Sequence, residues 1–465
     1  MARVNQLYQT QALYLGPCPY SGYHFISGDG ILNNNFENPD NSNLLFAIPR
    51  VQSASYSFNL DYGELKELGK RGAVYAPLIN SPSVTLNFNY LQHSVLNELR
   101  LGFNANYFNE SSDVSYYSNN FAQSLISGLY SRELLQPTAS PYWPYACRDN
   151  RNIFIVSGPR GKDIDTLDEG EVHPDSKSFN VYGFGNCFLN SYSTHGAVRS
   201  FPYTNVSFIC ENMEVYSSGS GVNIPGLNTQ TKAPVNTNKF VIPPTYDGPD
   251  QVSVLLPGDI NLSFESIPHR TGILALYGTG YTNGSATTDI MDLGYKFSDL
   301  KAQNYDISME LNRTPLYSLG YALPVDRVIT FPVYANLSTS FIVGDEQTGS
   351  LVRVFDNNRD YNVCISLRNP SNSARSGIGI QYDFRRAKLT NWNVESTIGP
   401  SKVVNMGFRT ELDPDELGVG LFVSGRLNID SANDDLLKQD DGTRFLLIDS
   451  RTDVIASIIT NTVAF

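Results

Sequence analysis

The chain has 465 residues, which is too long for one typical hydrophobic core and predicts two domains or more. Its net charge is −13 and it has no run of Lys and Arg, so direct nucleic-acid binding is disfavoured, because phosphate binding needs basic patches. Five scattered cysteines without a Cys-x-x-Cys spacing predict neither a metal site nor a disulfide framework. The first residues lack the apolar segment of a secretory signal, and no apolar run approaches the ~20 residues of a membrane helix. We therefore expect no membrane partner.

Apolar and polar residues alternate along most of the chain, which predicts half-buried antiparallel strands. The stretch "ASYSFNL" at 54–60 places Tyr56 and Phe58 on one face, and "VTLNFNYL" at 84–91 follows the same rule. Helical periodicity is sparse. The best helix candidate is "LQHSVLNELRLGF" at 91–103, whose apolar residues share one helical face. The predicted fold class is mainly β.

One stretch of the sequence recurs later in the chain in a similar form. "QSASYSFNLDYGELKELG" at 52–69 aligns without a gap to "QNYDISMELNRTPLYSLG" at 303–320, so the offset from 52 to 303 is 251 positions. The same offset aligns "VTLNFNYL" with "ANLSTSFIV". Further on, the 25-residue stretch at 184–208 aligns with 384–408 at an offset of 200. This pattern predicts two tandem copies of an antiparallel β-sandwich or barrel domain, each with a short helix.

The fall of the offset from 251 to 200 predicts about 51 extra residues in the first copy, around 105–180. That segment is rich in Pro, Gly and charge, which is typical of a surface excursion. "GDINLS" at 258–263 resembles "GRLNID" at 425–430, and we interpret both as closing strands of their copies. The predicted domains are therefore 1–265 and 266–465.

The sequence offers little catalytic chemistry. The five histidines are isolated, and "SGPRGKD" at 157–163 lacks the spacing of a phosphate loop. Acidic clusters such as "DIDTLDEGE" at 163–171 lack the ligand order of a calcium loop and favour a solvated acidic face. Carboxylates brought together from distant strands stay possible. We predict no catalytic residue, metal or cofactor, and no enzymatic activity.

A duplicated β domain without catalytic residues suggests a geometric role. Three copies of a two-domain chain form a ring with six similar positions, and closing the strands into a barrel removes exposed edges. This reasoning suggests that the duplication serves the geometry of a pseudo-hexameric ring.

The segment 48–90, "IPRVQSASYSFNLDYGELKELGKRGAVYAPLINSPSVTLNFNY", resembles the tail tube proteins of tailed bacteriophages, and in particular their duplicated, trimeric type. In that family two long antiparallel strand pairs are joined by a long loop that touches the next ring. The resemblance assigns this stacking loop to Asp61–Pro82, and to Asn312–Pro332 in the second copy. It implies a virion structural protein, assembled in the host cytoplasm, whose stacked rings form the conduit for DNA ejection.

The resemblance also implies partners. These are the chain itself, in stacked homotrimeric rings, and other tail proteins: the tape measure, the baseplate and the terminator. DNA would pass through the lumen without specific binding. From the net charge we expect the lumen to be negative, since that sign keeps DNA from adhering.

The two stacking loops supply the candidate inter-ring contacts. The first mixes both signs of charge around two leucines, which a loop docked on a neighbour would bury within a complementary rim. The second keeps the leucines and changes most of the charges. The candidates are Asp61, Glu64, Leu65, Lys66, Glu67, Leu68, Lys70, Arg71, Arg313, Leu316, Tyr317, Leu319, Asp326 and Arg327.

Several alternatives stay open at this point. A baseplate or tail-terminator ring of the same tail would reuse the fold, and a capsid component is a related possibility. A carbohydrate-binding tail protein would be favoured by acidic and aromatic residues converging in one cleft. An outer-membrane barrel fits the alternation and the final Phe465, and the missing signal argues against it.

Overall fold

The computed structural model describes part of the chain, and every structural statement below concerns that part. The described residues are 11–15, 25–26, 32–33, 46–76, 78, 82–95, 97–98, 101, 103, 106–107, 150–157, 180–217, 222–223, 225–228, 230–234, 260–267, 300–321, 323–343, 360–368, 378–395, 402–412 and 419–425.

Strands dominate the first part of the chain. They are β1 (Gln11–Leu15), β2 (Phe25–Ile26), β3 (Leu32–Asn33), β4 (Phe46–Ala47), β5 (Val51–Asn59), β6 (Leu65–Lys66), β7 (Ala73–Tyr75), β8 (Ser83–Leu91), β9 (Asn106–Tyr107), β10 (Asn150–Ser157), β11 (Asn180–Ala197), β12 (Ser200–Cys210) and β13 (Asn212–Tyr216).

The second part continues in the same way. Its strands are β14 (Ile260–Ile267), β15 (Leu300–Glu310), β16 (Arg313–Leu316), β17 (Asp326–Ile329), β18 (Tyr334–Val343), β19 (Asp360–Arg368), β20 (Ile378–Glu395), β21 (Val403–Glu411) and β22 (Gly420–Gly425). The prediction of a mainly β fold is confirmed.

Within the segment 91–103, where a helix is expected, the described residues Asn97 and Glu98 are helical, and the Leu101 N–H donates to the Asn97 carbonyl at 2.8 Å. Val95 and Phe103, which belong to the predicted apolar face, are buried. The matching segment of the second copy lies outside the described residues.

Sixteen of the strands form one large sheet, and all but one of its pairings are antiparallel. Eight of these strands follow one another by direct hydrogen bonding in the order β5, β8, β12, β11, β15, β18, β21 and β20. Four come from each half of the chain, and the β11–β15 ladder joins the halves. The chain therefore builds one continuous sheet across both halves.

The two halves repeat the same pairing register. Tyr56 lies opposite Leu86 in the β5–β8 ladder, and Ile307 lies opposite Leu337 in the β15–β18 ladder, 251 positions further on. Each ladder has a bulge at the corresponding place, after Val51 in the first and after Ala302 in the second. Because a bulge is a local irregularity in strand pairing, its recurrence at one offset is a strong structural correspondence.

The correspondence extends to other ladders. Leu189 pairs with Phe208 before a bulge in β11–β12, and Leu389 pairs with Phe408 before a bulge in β20–β21, at the offset of 200. The β10–β11 and β19–β20 ladders share a further bulge, after Arg151 and after Tyr361.

Two sequence expectations need correction. The segment 105–180, expected to be a surface excursion, contains β10, where Ile153 and Phe154 are fully buried between β1 and β11. Its apolar run makes it a core strand, while the rest of that segment lies mostly outside the described residues. The expected boundary at residue 265 lies within β14. That strand pairs with β19, as β1 pairs with β10, so it opens the second half and does not close the first.

The core is shared between the halves. Inward residues of alternating strands form one cluster that includes Leu86 and Phe208 from the first half and Ile307 and Phe408 from the second. Each such side chain contributes roughly 1.5–3 kcal/mol when fully buried. The described residues of both halves thus pack in one continuous core.

Candidate functional site: surfaces for assembly

Two short hairpins project from the sheet where the stacking loops were expected. β6 pairs with β7, with Leu65 opposite Tyr75, and β16 pairs with β17, with Leu316 opposite Asp326. These pairs are again 251 positions apart. The sequence analysis assigned these segments to loops, and the structure shows the same hairpin in both.

The tip of each hairpin is a tight turn with an exposed leucine. The Lys70 N–H donates to the Glu67 carbonyl at 3.1 Å, and the intervening Gly69 has a φ of 91°. This geometry matches a type II turn, which requires a positive φ at its third residue. Leu68, just before this glycine, is as exposed as in an extended peptide, at 104 %.

The second hairpin repeats this tip. The Tyr321 N–H donates to the Ser318 carbonyl at 3.1 Å, Gly320 has a φ of 85°, and Leu319 is 101 % exposed. Leu65 and Leu316 on the strands below are also about half exposed. In the described chain these leucines do not pack on their own fold.

The charged residues of the first hairpin pair among themselves at the surface. Lys66 lies 3.3 Å from Glu64, and Lys70 lies 2.6 Å from Glu67. Such exposed pairs contribute little to stability. They leave the apolar tip as the distinctive feature of the hairpin.

Arg313 and Arg327 do not share this exposure. The Arg313 Nε donates to the Leu189 carbonyl at 2.7 Å, and its guanidinium lies 5.5 Å from the centre of the Phe188 ring. Arg327 is buried and its Nε lies 3.2 Å from Oε1 of Glu211. Both side chains bind the second hairpin to the first half of the chain, so they are not among the exposed residues that another molecule could contact.

The two ends of the eight-stranded order differ from its middle. Among the described residues β5 pairs only with β8, and the β20 segment 391–395 pairs only with β21. Their counterparts at the same offsets, β15 and β11, pair with each other as well. Within the described residues, the eight-stranded order therefore has one junction between the halves, where β11 and β15 are paired, and two open edges, β5 and the β20 segment 391–395, which have no further partner strand.

The open edge at β5 exposes apolar side chains that are buried at the equivalent place. Tyr56 and Phe58 are 40 % and 64 % exposed, whereas Ile307 and Met309, 251 positions further on, are 0 % and 1 % exposed. The difference arises because β15 is paired on this edge with β11, whereas no described strand pairs with the same edge of β5. Tyr56 keeps contacts with the Tyr182 and Phe184 rings on its apolar face. On the other edge Val394 is exposed, while its counterpart Thr194 is buried.

One face of the eight strands is polar. A single cross-strand row runs from one edge to the other through Ser53, Asn89, Asn205, Ser193, Ser308, Asn336, Arg409 and Lys388. Hydroxyl and amide groups fill most of it, as in the 2.9 Å hydrogen bond that Ser53 donates to Asn89. Asp306 and Glu310 lie exposed on the same face of β15.

A buried polar cluster lies behind this sheet. Oε1 of Glu98 accepts hydrogen bonds from Tyr90 at 2.9 Å and Tyr192 at 3.1 Å, and the Tyr192 hydroxyl lies 3.0 Å from that of Tyr382. Burial raises the pKa of Glu98 from 4.5 to about 7, against the lowering effect of these two hydrogen bonds. Gln92 extends the cluster by accepting from Tyr305 at 3.1 Å. Residues of both halves thus meet in one network that the sequence analysis missed, because its members are far apart in the chain.

The described residues offer no arrangement typical of a metal centre. No group of three or more His, Cys, Asp or Glu there could hold an ion. Within the same residues no helix is long and apolar enough to span a membrane.

Comparisons with known proteins add one likeness. No family model matches the chain, and no curated protein matches it. Among solved structures, one similar chain belongs to "the anti-feeding prophage (AFP) baseplate, 6-fold symmetrised", with 13 % identity and a TM-score of 0.19. The match covers 30 % of this chain and 83 % of that one.

Proposed function

We propose that the chain is a structural protein of a phage tail, which assembles with copies of itself into stacked rings that form a conduit for DNA. The observation that carries this proposal is the pair of hairpins with fully exposed leucines at equivalent positions. An exposed leucine at the tip of an ordered turn is typical of a surface that another molecule covers. Because the two tips repeat one geometry within one sheet, they suit a partner surface that is itself repeated.

We further propose that the chain contains two copies of one unit. The shared registers and bulges support this duplication. With β14 as the opening strand, the second unit begins before Ile260. The rings would then contain three chains and six similar units, and the stacking contacts would be made by both hairpins of each chain.

The polar face supplies the surface of the conduit in this proposal. Three chains of eight strands would close a barrel of 24 strands, which at a spacing of ~4.8 Å and a tilt of ~40° has a backbone diameter of about 50 Å. Duplex DNA fits within that width. A lining of Ser, Thr and Asn with acidic groups such as Asp306 and Glu310 offers phosphates few cations. Of the two cations in the row described above, Lys388 is ion-paired with Asp360 and Arg409 lies over the Tyr334 ring.

A conduit of this kind has no need of catalysis. We propose that the chain is not an enzyme and takes no cofactor. Its other partners would be the tail proteins at either end of the stack and along the bore. A ring at the baseplate or terminator would use the same lateral contacts without stacking on both sides, so the ability to form long tubes separates the two roles.

The stacking contact can be tested by replacing Leu65 and Leu68 together with Ser. Both side chains are exposed, so the folding free energy should change by no more than about 0.5 kcal/mol. We expect soluble, folded protein that forms no tubes in negative-stain images. The matched control is Val215→Ser, which removes an exposed apolar side chain from β13, outside both hairpins.

Two results would contradict the stacking role. Tubes that still form in the double variant would show that these leucines are not the inter-ring contact. Loss of the folded state in circular dichroism would show that they stabilise the chain itself.

A further inference from the structure

We propose that the edge strand β5 of one chain pairs antiparallel with segment 391–395 of β20 in a second copy, in the register that the β11–β15 junction already displays within the chain. This inference deepens the proposed function, because it specifies how a ring closes sideways, and it rests on that proposal for the identity of the assembly.

The internal β11–β15 junction shows the register in question. In this junction Tyr192 lies opposite Met309, Thr194 opposite Ile307 and His195 opposite Asp306. β11 corresponds to β20 at the offset of 200, and β15 corresponds to β5 at the offset of 251. If the same junction is repeated between chains, it joins the two open edges, β5 of one chain and β20 of the next. Such a head-to-tail contact either closes into a ring or continues as a filament.

The transferred register brings compatible side chains together. Trp392 would lie opposite Phe58 and Val394 opposite Tyr56, all on the apolar face. Asn393 would lie opposite Ser57 on the polar face. Three of the four apolar residues are exposed in the single chain: Tyr56, Phe58 and Val394. A slip by one residue would oppose each apolar side chain to a polar one, which disfavours other registers.

The residue that corresponds to Tyr305 on the open edge is small. Inside the chain the Tyr305 ring lies over Gly196, where a Cβ atom would approach the ring to 2.3 Å. At the corresponding place on β5 the residue is Ala54. β5 therefore brings no large ring to this place in the junction between chains.

The base of each hairpin pairs a cation with an aromatic residue. Inside the chain the Arg313 guanidinium lies 5.5 Å from the centre of the Phe188 ring. The corresponding residues are Tyr62, which is 58 % exposed, and Lys388. Inside the chain the hairpin base carries the cation and β11 carries the ring. Between chains the hairpin base would carry the ring, Tyr62, and β20 would carry the cation, Lys388, so both junctions place a cation near an aromatic ring.

The surface around Lys388 has room for this contact. A cavity of about 280 Å³ lies there, lined by Asp360, Arg386, Arg409 and Glu411 among others. Its counterpart in the first half is covered by the second hairpin through Arg313 and the Arg327–Glu211 ion pair. In the ring, the base of the β6–β7 hairpin from the neighbouring chain would occupy it.

The test is a disulfide between chains. Residues directly opposite in antiparallel strands have Cα atoms about 4.5–5.5 Å apart, within the range that a disulfide spans. We expect the Ser57→Cys, Asn393→Cys double variant, oxidised after assembly, to form covalent dimers and trimers on non-reducing gels, with trimers as the largest species. The native Cys187, Cys210 and Cys364 are buried, and the unmodified chain gives the background.

Two matched variants define the register. Ser193→Cys with Ser308→Cys marks the same pair inside the chain and should yield a bond without any covalent dimer. Ser55→Cys with Asn393→Cys shifts one partner by two positions to a separation of ~7–8 Å, and should cross-link at least tenfold less.

The outcomes separate the two proposals. Tubes or rings that form while the 57–393 pair stays unlinked, or links no better than the 55–393 pair, would overturn the lateral register and leave the tube function intact. Trimers linked at 57–393 without tubes would support the register and contradict the tube function. A chain that stays monomeric and unlinked at all concentrations would contradict both.

Discussion

At the scale of single residues, Glu98 is the least expected feature of the molecule. It is fully buried, its Oε1 accepts from two tyrosines, and burial is the main cause that raises its pKa to about 7. The folded chain therefore binds a proton that the unfolded chain releases above pH 4.5. The associated stability is present below pH 4.5 and is lost as the pH rises through 7.

This predicts a measurable pH dependence of folding. Between pH 4.5 and pH 8 the free energy of unfolding should fall by roughly 3 kcal/mol through this group alone. Glu98→Gln should remove most of that slope, because the amide cannot ionise. Denaturant unfolding at pH 5 and pH 8 measures the free energy of unfolding with and without Glu98→Gln. Both proteins carry Leu65→Ser and Leu68→Ser, with which we expect no tubes. A slope that persists in Glu98→Gln would contradict this assignment.

At the scale of elements, the two hairpin turns depend on glycine. Gly69 and Gly320 have φ values of 91° and 85°, and a Cβ at either position would meet nothing within 4 Å. A substitution there is strained only by the local backbone, since a β-branched residue strongly disfavours positive φ. The shape of the tip, rather than the packing of the sheet, is what such a change would alter.

We therefore expect Gly320→Val to keep the folded sheet and to raise the concentration needed for tube formation by about tenfold or more. Gly72→Val is the control, because Gly72 is equally uncrowded and has no positive φ. Light scattering during assembly gives the threshold concentration, and circular dichroism checks the fold. Equal thresholds for the two variants would contradict a role for the tip geometry.

The sequence predicted much of this, for physical reasons. Strict alternation around Tyr56 and Phe58 identified the strands, and constant offsets located corresponding positions before any ladder was known. β10 was missed because its apolar run lies within a segment dominated by Pro, Gly and charge. The inward direction of Arg327 was also beyond the sequence, since its partner Glu211 is 116 positions away.

At the scale of the whole molecule, the described sheet has one internal junction between its halves and two open edges. The chain satisfies the pairing of β11 with β15 and leaves the equivalent groups on β20 and β5 without a described partner strand. Exposed edges of this kind pair with other chains. In the proposed assembly, copies that repeat the internal junction form rings, and the exposed Leu68 and Leu319 make the contacts between rings.

Negative-stain electron microscopy of the purified chain would show directly whether its copies form such rings. We expect rings of three chains with six similar lobes, stacked into tubes whose bore passes through every ring. Class averages of end-on views would count the lobes. Single globules at all concentrations, or rings whose lobe number is not six, would show that the chain does not assemble in this way.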